Sequence, residues 1–191
     1  MDRPSGVRTC LHDTARSNAI LDDMACRLAG LLPGDEATVV IGVLRRGAPL
    51  ADQLAERLQQ RHRLPAPLRV DLKVKRYADD LTLLHPETQL SEAEGQPLPA
   101  LAGRTLLVVD DVLYTGHSLL RVVGHLVRQQ PARILVATLV DRGVARLPVH
   151  ADVVGVRLDI APTDIIECNV PPYEADFRIE LLQPQPQREQ P

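Results

Sequence analysis

Asp110 and Asp111 stand side by side at the end of an apolar run, in the stretch VVDDVLYTGHS (108–118). Thr115, Gly116, His117 and Ser118 follow, and then an apolar pattern at helical spacing begins. Small residues that lead straight into a helix expose free backbone N–H groups at its N-terminus. Those groups and the helix dipole favour an anion. Thr115 and Ser118 add hydroxyl donors, and Gly116 allows close backbone approach. That combination suits a phosphate. Two carboxylates beside it repel the same phosphate, so they suit sugar hydroxyls, a developing positive charge or a divalent cation. Phosphate and hydroxyls together describe a sugar phosphate. The plain alternative is a solvated strand end with an ordinary turn.

A second candidate lies at Arg45-Arg46-Gly47, which interrupts the continuous apolar run ATVVIGVL (37–44). The elements that position both loops follow from periodicity. Apolar residues at helical spacing predict a helix over 17–32, closed by Pro33-Gly34. A second helix carries Leu50, Ala51, Leu54, Ala55 and Leu58 on one face. A third follows Ser118, with Leu119, Leu120, Val123, Leu126 and Val127 inward. Buried strands are predicted over 37–44, 105–109 and 133–140, a half-wet strand over 68–74 and a shorter one over 152–158. Strands alternating with helices give an α/β fold, a doubly wound and mostly parallel sheet. Ligands bind such sheets at strand carboxyl ends near a switch in strand order, so the two loops are expected to share one crevice.

Composition sets the limits. The 191 residues suit a single domain, and 45% hydrophobic content with 2% aromatics implies a core of Leu, Val, Ile and Ala. The net charge of -3 gives no global sign of nucleic-acid binding. Cys10, Cys26 and Cys168 are far apart and form no CxxC pair, which points to reduced thiols rather than zinc or disulfides. The polar opening MDRPSGVRTCLHD is unlike a signal peptide, and no apolar run approaches the roughly 18 residues of a membrane span, so a cytoplasmic setting is expected. The polar, proline-bearing stretch from about 76 to 103 reads as a flap or linker, and residues 183–191 as a disordered tail.

VVDDVLYTG closely resembles the phosphoribosyl pyrophosphate (PRPP) motif of the type I phosphoribosyltransferases. GVLRRGAPLADQLAERL (42–58), RYADDLT (76–82) and LVDRGVARLPVHADVVG (139–155) extend the likeness over about residues 12–182. Within the family, the chain looks most like the pyrimidine-operon attenuation regulators that are also uracil phosphoribosyltransferases. The resemblance implies one catalytic domain over 1–182, with a flexible flap at about 76–103 and a small hood at about 156–180. It implies that Asp110 and Asp111 hold the ribose hydroxyls and that Val112 to Ser118, with Leu113 and Tyr114 among them, line the phosphoribosyl site. Thr115, Gly116, His117 and Ser118 would cradle the 5-phosphate. Arg45, Arg46 and Gly47 match the pyrophosphate loop, often built with a non-proline cis peptide. Tyr77, Asp79, Asp80 and Thr82 match the loop that closes over the site. Mg²⁺ would arrive mainly on the pyrophosphate oxygens, with Asp110 and Asp111 as possible protein ligands. A homodimer or tetramer is implied.

The base is read from two positions. The 6-oxopurine members usually carry an acid where this chain has Tyr114 and a lysine where it has Asp141. Both differences argue for a pyrimidine, with Asp141 and Arg142 in the wall of the base pocket. The chain departs from the regulator subgroup in having Arg45 for a usual threonine, His117 and Ser118 for Arg and Thr, and a different segment over 158–174. Three functions follow: uracil transfer giving UMP and pyrophosphate; a UMP- or PRPP-responsive regulator on a messenger-RNA leader with weak or no turnover, with Arg8, Arg16, Arg27, Lys73, Lys75 and Arg76 as its basic candidates; or transfer to another nucleobase, or a PRPP-dependent protein with little turnover.

Overall fold

The computed structural model describes residues 6–34, 38–73, 99–184 and, by backbone alone, 89–92. In chain order the elements are β1 (Gly6–His12), α1 (Thr14–Ala29), β2 (Val39–Val43), α2 (Gly47–His62), β3 (Leu68–Lys73), β4 (Gln89–Glu92), β5 (Thr105–Leu113), α3 (His117–Val127), β6 (Arg133–Asp141), β7 (Val153–Arg157), β8 (Ile165–Asn169) and β9 (Arg178–Pro184). The large sheet has the order β4-β3-β2-β5-β6-β7. Its strands from β3 to β7 run parallel, and β4 joins the β3 edge antiparallel.

The continuous apolar runs of β2, β5 and β6 are explained by cover on both faces. Val40, Leu107, Val109, Leu135 and Ala137 pack with α1 and α2 in one core. Val39, Ile41, Val108 and Val136 alternate into a second core with Leu119, Val122 and Leu126 of α3. Leu21, Leu54, Leu107 and Leu135 are all essentially sealed from solvent. Truncating any of them to Ala would cost about 2–5 kcal/mol.

Two predicted helices differ from those observed. α1 begins at Thr14 rather than 17, because Asp13 caps it: the Asp13 carboxylate accepts from the Arg16 N–H at 2.9 Å. A side-chain cap fixes a helix start more firmly than the first apolar residue does. It also ends at Ala29 rather than 32, where the N–H groups of Leu31 and Leu32 both turn back to the Leu28 carbonyl. In α3 the inward face is Leu119, Val122 and Leu126, while Leu120 and Val127 are exposed and Val123 is only partly buried. The helix starts one residue before Ser118, at His117, with Gly116 at its N-cap.

A second, smaller antiparallel sheet has the order β1-β9-β8. It takes β8 and β9 from the carboxyl end of the chain and inserts β9 beside the N-terminal strand β1. Arg8 of β1 reaches across to Glu167 of β8 at 2.8 Å. This sheet joins the α1–α2 core through Ile166, Cys168 and Ile179.

Strand order reverses between β2 and β5: from β2 the chain first moves outward to β3, then returns to β2's other side. The crevice above that switch point is where an open parallel sheet leaves room for a ligand.

Candidate active site

The turn after β2 and the turn after β5 meet at this switch point. A Cβ built on Gly47 would lie 2.5 Å from the Val109 carbonyl oxygen and 3.2 Å from Asp110 Cα. Only a residue without a side chain lets the Arg45–Gly47 loop sit directly on β5. The Leu44–Arg45 peptide is cis. Behind the loop, the buried Arg69 fastens the start of α2 to the sheet. Its guanidinium donates to the Ala48 and Val40 carbonyls and to Asp52 and Asp71.

Asp110 and Asp111 lie within β5, not after it, and the strand continues to Leu113. Their carboxylates turn back on the backbone: Asp110 accepts from the Asp111 N–H at 2.9 Å, and Asp111 from the Val112 N–H at 3.0 Å. Val109 is buried in the α1–α2 core and Val112 is partly buried against it, while the pairing with β6 keeps its register through Leu113. Both carboxylates are partly exposed.

Helix ends sharpen the picture. α1 has a side-chain cap, whereas α2, with Arg46 at its N-cap, and α3, with Gly116 at its N-cap, have none. The uncapped first turn of α3 leaves N–H groups to another acceptor, whereas in α2 the Ala48 N–H already donates to the Arg45 carbonyl and Pro49 has no N–H. Gly116 has φ 88°, a left-handed conformation open to glycine at little cost. The Thr115 hydroxyl lies 3.0 Å from His117 Nδ1, and the Thr115 carbonyl accepts from the Arg146 N–H at 3.0 Å. His117 and Ser118 are exposed.

Asp141 and Arg142 meet the same wall. Leu113 pairs with Asp141 across the sheet, and the Arg142 N–H donates to the Leu113 carbonyl. The Arg142 guanidinium lies over the Tyr114 ring at 4.2 Å, a stacked cation–π contact. Asp141 is occupied locally, accepting from the Gly143 N–H at 2.8 Å and facing Arg157 at 3.7 Å.

The structure thus brings together Arg45, Arg46, Gly47, Asp110 to Ser118, Asp141 and Arg142. Tyr77, Asp79, Asp80 and Thr82 lie outside the described residues. Of the basic residues read as a nucleic-acid face, Arg8 pairs with Glu167 and Arg27 with Asp23, while Lys75 and Arg76 lie outside the described residues. Sequence reasoning missed three residues here. Glu174, on the β8–β9 loop, meets Arg46 at 2.7 Å. Tyr173 lies under Arg45. Cys168, fully buried, has its Sγ 4.0 Å from the Asp111 carbonyl oxygen. For Tyr173 and Glu174 the one signal was the rigid, acid-bearing run NVPPYE between two apolar strands.

Burial pulls the Arg46 guanidinium down, yet the Glu174 hydrogen bond and the charges of Glu174 and Asp111 leave it above its ordinary value. Burial pushes the Cys168 thiol well up, helped by Asp111, Asp110 and Glu174 and opposed by Arg46. Among the described residues no group of three or more His, Cys, Asp or Glu is placed to hold a metal ion, and no helix is long and apolar enough to cross a membrane.

A parallel sheet with this switch point, a glycine-seated arginine loop and an acidic strand running into an uncapped helix define a type I phosphoribosyltransferase. The chain belongs to that family: the phosphoribosyl transferase domain matches residues 10–176. Among relatives it is similar to the bifunctional protein PyrR of Thermus thermophilus, 33% identical over 150 residues, covering 78% of this chain and 81% of that protein. The bifunctional protein PyrR of a Roseiflexus species is 37% identical over 145 residues, covering 75% and 70%. In solved structures the fold recurs in the Trypanosoma cruzi hypoxanthine phosphoribosyltransferase, with TM-score 0.69, 18% identity and coverage of 93% of this chain and 97% of that one. A Bacillus anthracis hypoxanthine-guanine phosphoribosyltransferase gives TM-score 0.70, 17% identity and coverage of 95% and 99%. These structural likenesses are of fold.

Proposed function

We propose that the protein transfers the 5-phosphoribosyl group of PRPP to uracil, forming UMP and pyrophosphate. The observation that carries this reading is the seating of Gly47 on Asp110, which joins two paired arginines to two paired carboxylates across one crevice. In this reading Asp110 and Asp111 hold the ribose hydroxyls, and their charge favours the oxocarbenium-like transition state as the C1–oxygen bond to diphosphate breaks. Uracil N1 forms the new bond at C1 and gives up its proton. The first turn of α3, with Thr115, Gly116, His117 and Ser118, receives the 5-phosphate. Arg45, Arg46 and the Gly47 backbone receive the diphosphate. The resemblance assigns to Tyr77, Asp79, Asp80 and Thr82 the task of excluding water from the cation.

Two part-buried carboxylates, with no third ligand among the described residues, fit a Mg²⁺ ion that keeps its waters and arrives on diphosphate oxygens. Asp110 and Asp111 would then hold it through the sugar hydroxyls or water, and its charge would neutralise the leaving group.

Support for a pyrimidine comes from the base wall. Tyr114 offers a ring stacked by Arg142 instead of a carboxylate, and Asp141 is bound to its own turn. Tyr114 stands where the purine enzymes usually carry an acid and Asp141 where they carry a lysine, and both differences support a pyrimidine. The test is chromatography of labelled uracil incubated with PRPP and Mg²⁺. UMP is the expected product, and recovery of uracil alone would contradict the reading.

The word bifunctional in the relatives' names favours a second reading, a UMP- or PRPP-responsive regulator of a messenger-RNA leader. Binding to such a leader should respond to UMP and fall steeply with salt. No UMP dependence at any salt would count against it.

A further inference from the structure

The loop between β8 and β9 sets two consecutive residues against two consecutive arginines. The Arg45 guanidinium carbon lies 4.9 Å from the centroid of the Tyr173 ring. Arg46 Nη2 donates to Glu174 Oε1 at 2.7 Å. Glu174 is itself fixed: its other oxygen accepts from the Val170 N–H at 2.9 Å, and its own N–H returns to the Val170 carbonyl at 3.3 Å. The Glu174 side chain is only 12% exposed, against 33% for Arg46. An exposed ion pair of this kind would contribute little. A mostly desolvated carboxylate tied at both oxygens instead fixes the direction of its partner.

Adjacent arginines repel each other, and each gains charge freedom only through a partner. Here the partners come from the small sheet, not from the loop that carries the arginines. Arg46 Nε is buried and meets no acceptor among the described residues, so the guanidinium is held chiefly by its outer nitrogen. A guanidinium has five N–H donors, so a single bond to Glu174 leaves others to face a ligand.

We propose that Glu174 is a positioning residue: it orients the Arg46 guanidinium toward the diphosphate of PRPP, while Tyr173 does the same for Arg45. The proposal rests on reading residues 45–47 as the diphosphate loop. It makes the diphosphate subsite a joint product of both sheets, and it places part of the binding free energy in orientation achieved before the ligand arrives.

The experiment is calorimetric binding of inorganic pyrophosphate and of PRPP, each with Mg²⁺, to the full chain. It compares wild type with Glu174→Ala, Glu174→Gln and Arg46→Ala, and with each Glu174 variant combined with Arg46→Ala. Glu174→Ala should weaken both ligands about tenfold, and should raise KM for PRPP more than it lowers kcat. Glu174→Gln keeps one acceptor oxygen, enough for Arg46 or for the Val170 N–H but not for both, so it should recover only part of that loss. With Arg46 already removed, neither Glu174 change should weaken binding further. Thermal unfolding reports whether the loop survives, and the Gln variant carries the cycle if the Ala variant unfolds. Unchanged or tighter binding in the Glu174 variants, or losses that simply add to that of Arg46→Ala, would overturn the positioning role. If wild type binds neither ligand, the diphosphate reading of the loop fails, and this inference fails with it.

Discussion

Gly47 and Asp110 touch backbone to backbone: a methyl group on Gly47 would come within 3.2 Å of Asp110 Cα and 2.5 Å of the preceding carbonyl oxygen. The loop of arginines and the strand of acids are therefore one unit, and neither shifts without the other. Gly47→Ala should push them apart. The expected outcome is a loss of about 1–3 kcal/mol of stability, the scale of overpacking a filled site, together with at least tenfold weaker PRPP binding. Denaturant unfolding and calorimetry check the two parts.

Asp111→Asn should separate chemistry from folding. The amide keeps an oxygen to accept from the Val112 N–H, so the melting temperature should stay within a few degrees. Its lost charge should lower kcat by about 10²-fold or more, the scale for removing an electrostatic stabiliser. Arg69→Met should do the reverse. Removing a buried charge that bridges Asp71 and several carbonyls should cost about 3–5 kcal/mol. Equal losses of activity and stability in Asp111→Asn would sink its catalytic role.

Cys168 should be the unreactive thiol. It is buried beneath the acids, while Cys10 and Cys26 are exposed. Alkylation requires the thiolate, and the Cys168 thiol lies well above its ordinary value near 9.0. Iodoacetamide at pH 8 should add to Cys10 and Cys26 in the native protein and reach Cys168 only in denaturant, as read by mass spectrometry. The linkage has a definite sign. Because the folded thiol holds its proton more tightly, its contribution is complete below the unfolded pKa. It declines as pH rises from about 9 toward the folded value. Cys168→Ala should flatten that alkaline fall in stability.

The parallel sheet and both crevice loops were legible in the sequence because β2, β5 and β6 are buried on two faces and read as unbroken apolar runs. The crevice followed from strand order, with Arg45–Gly47 and Asp110–Ser118 at strand ends. β1 left no such trace, since four of its seven residues, from Val7 to Cys10, face solvent. The acids looked like the end of β5, yet the strand runs on through them to Leu113, with each carboxylate accepting from the next N–H. No periodicity records that continuation. α3's inward face was misread because Leu120 and Val127 are apolar but exposed. Glu174 and Tyr173 are distant in sequence from the arginines they meet, so only the fold of the small sheet reveals them.

The most direct measurement is pyrophosphate release from PRPP and Mg²⁺ with uracil, beside hypoxanthine, guanine and no base. Release is expected with uracil alone, lost in Asp111→Asn and weakened in PRPP affinity by Arg46→Ala. Release with a purine and none with uracil would contradict the pyrimidine assignment drawn from Tyr114 and Asp141, and release with no base at all would contradict phosphoribosyl transfer to a base altogether.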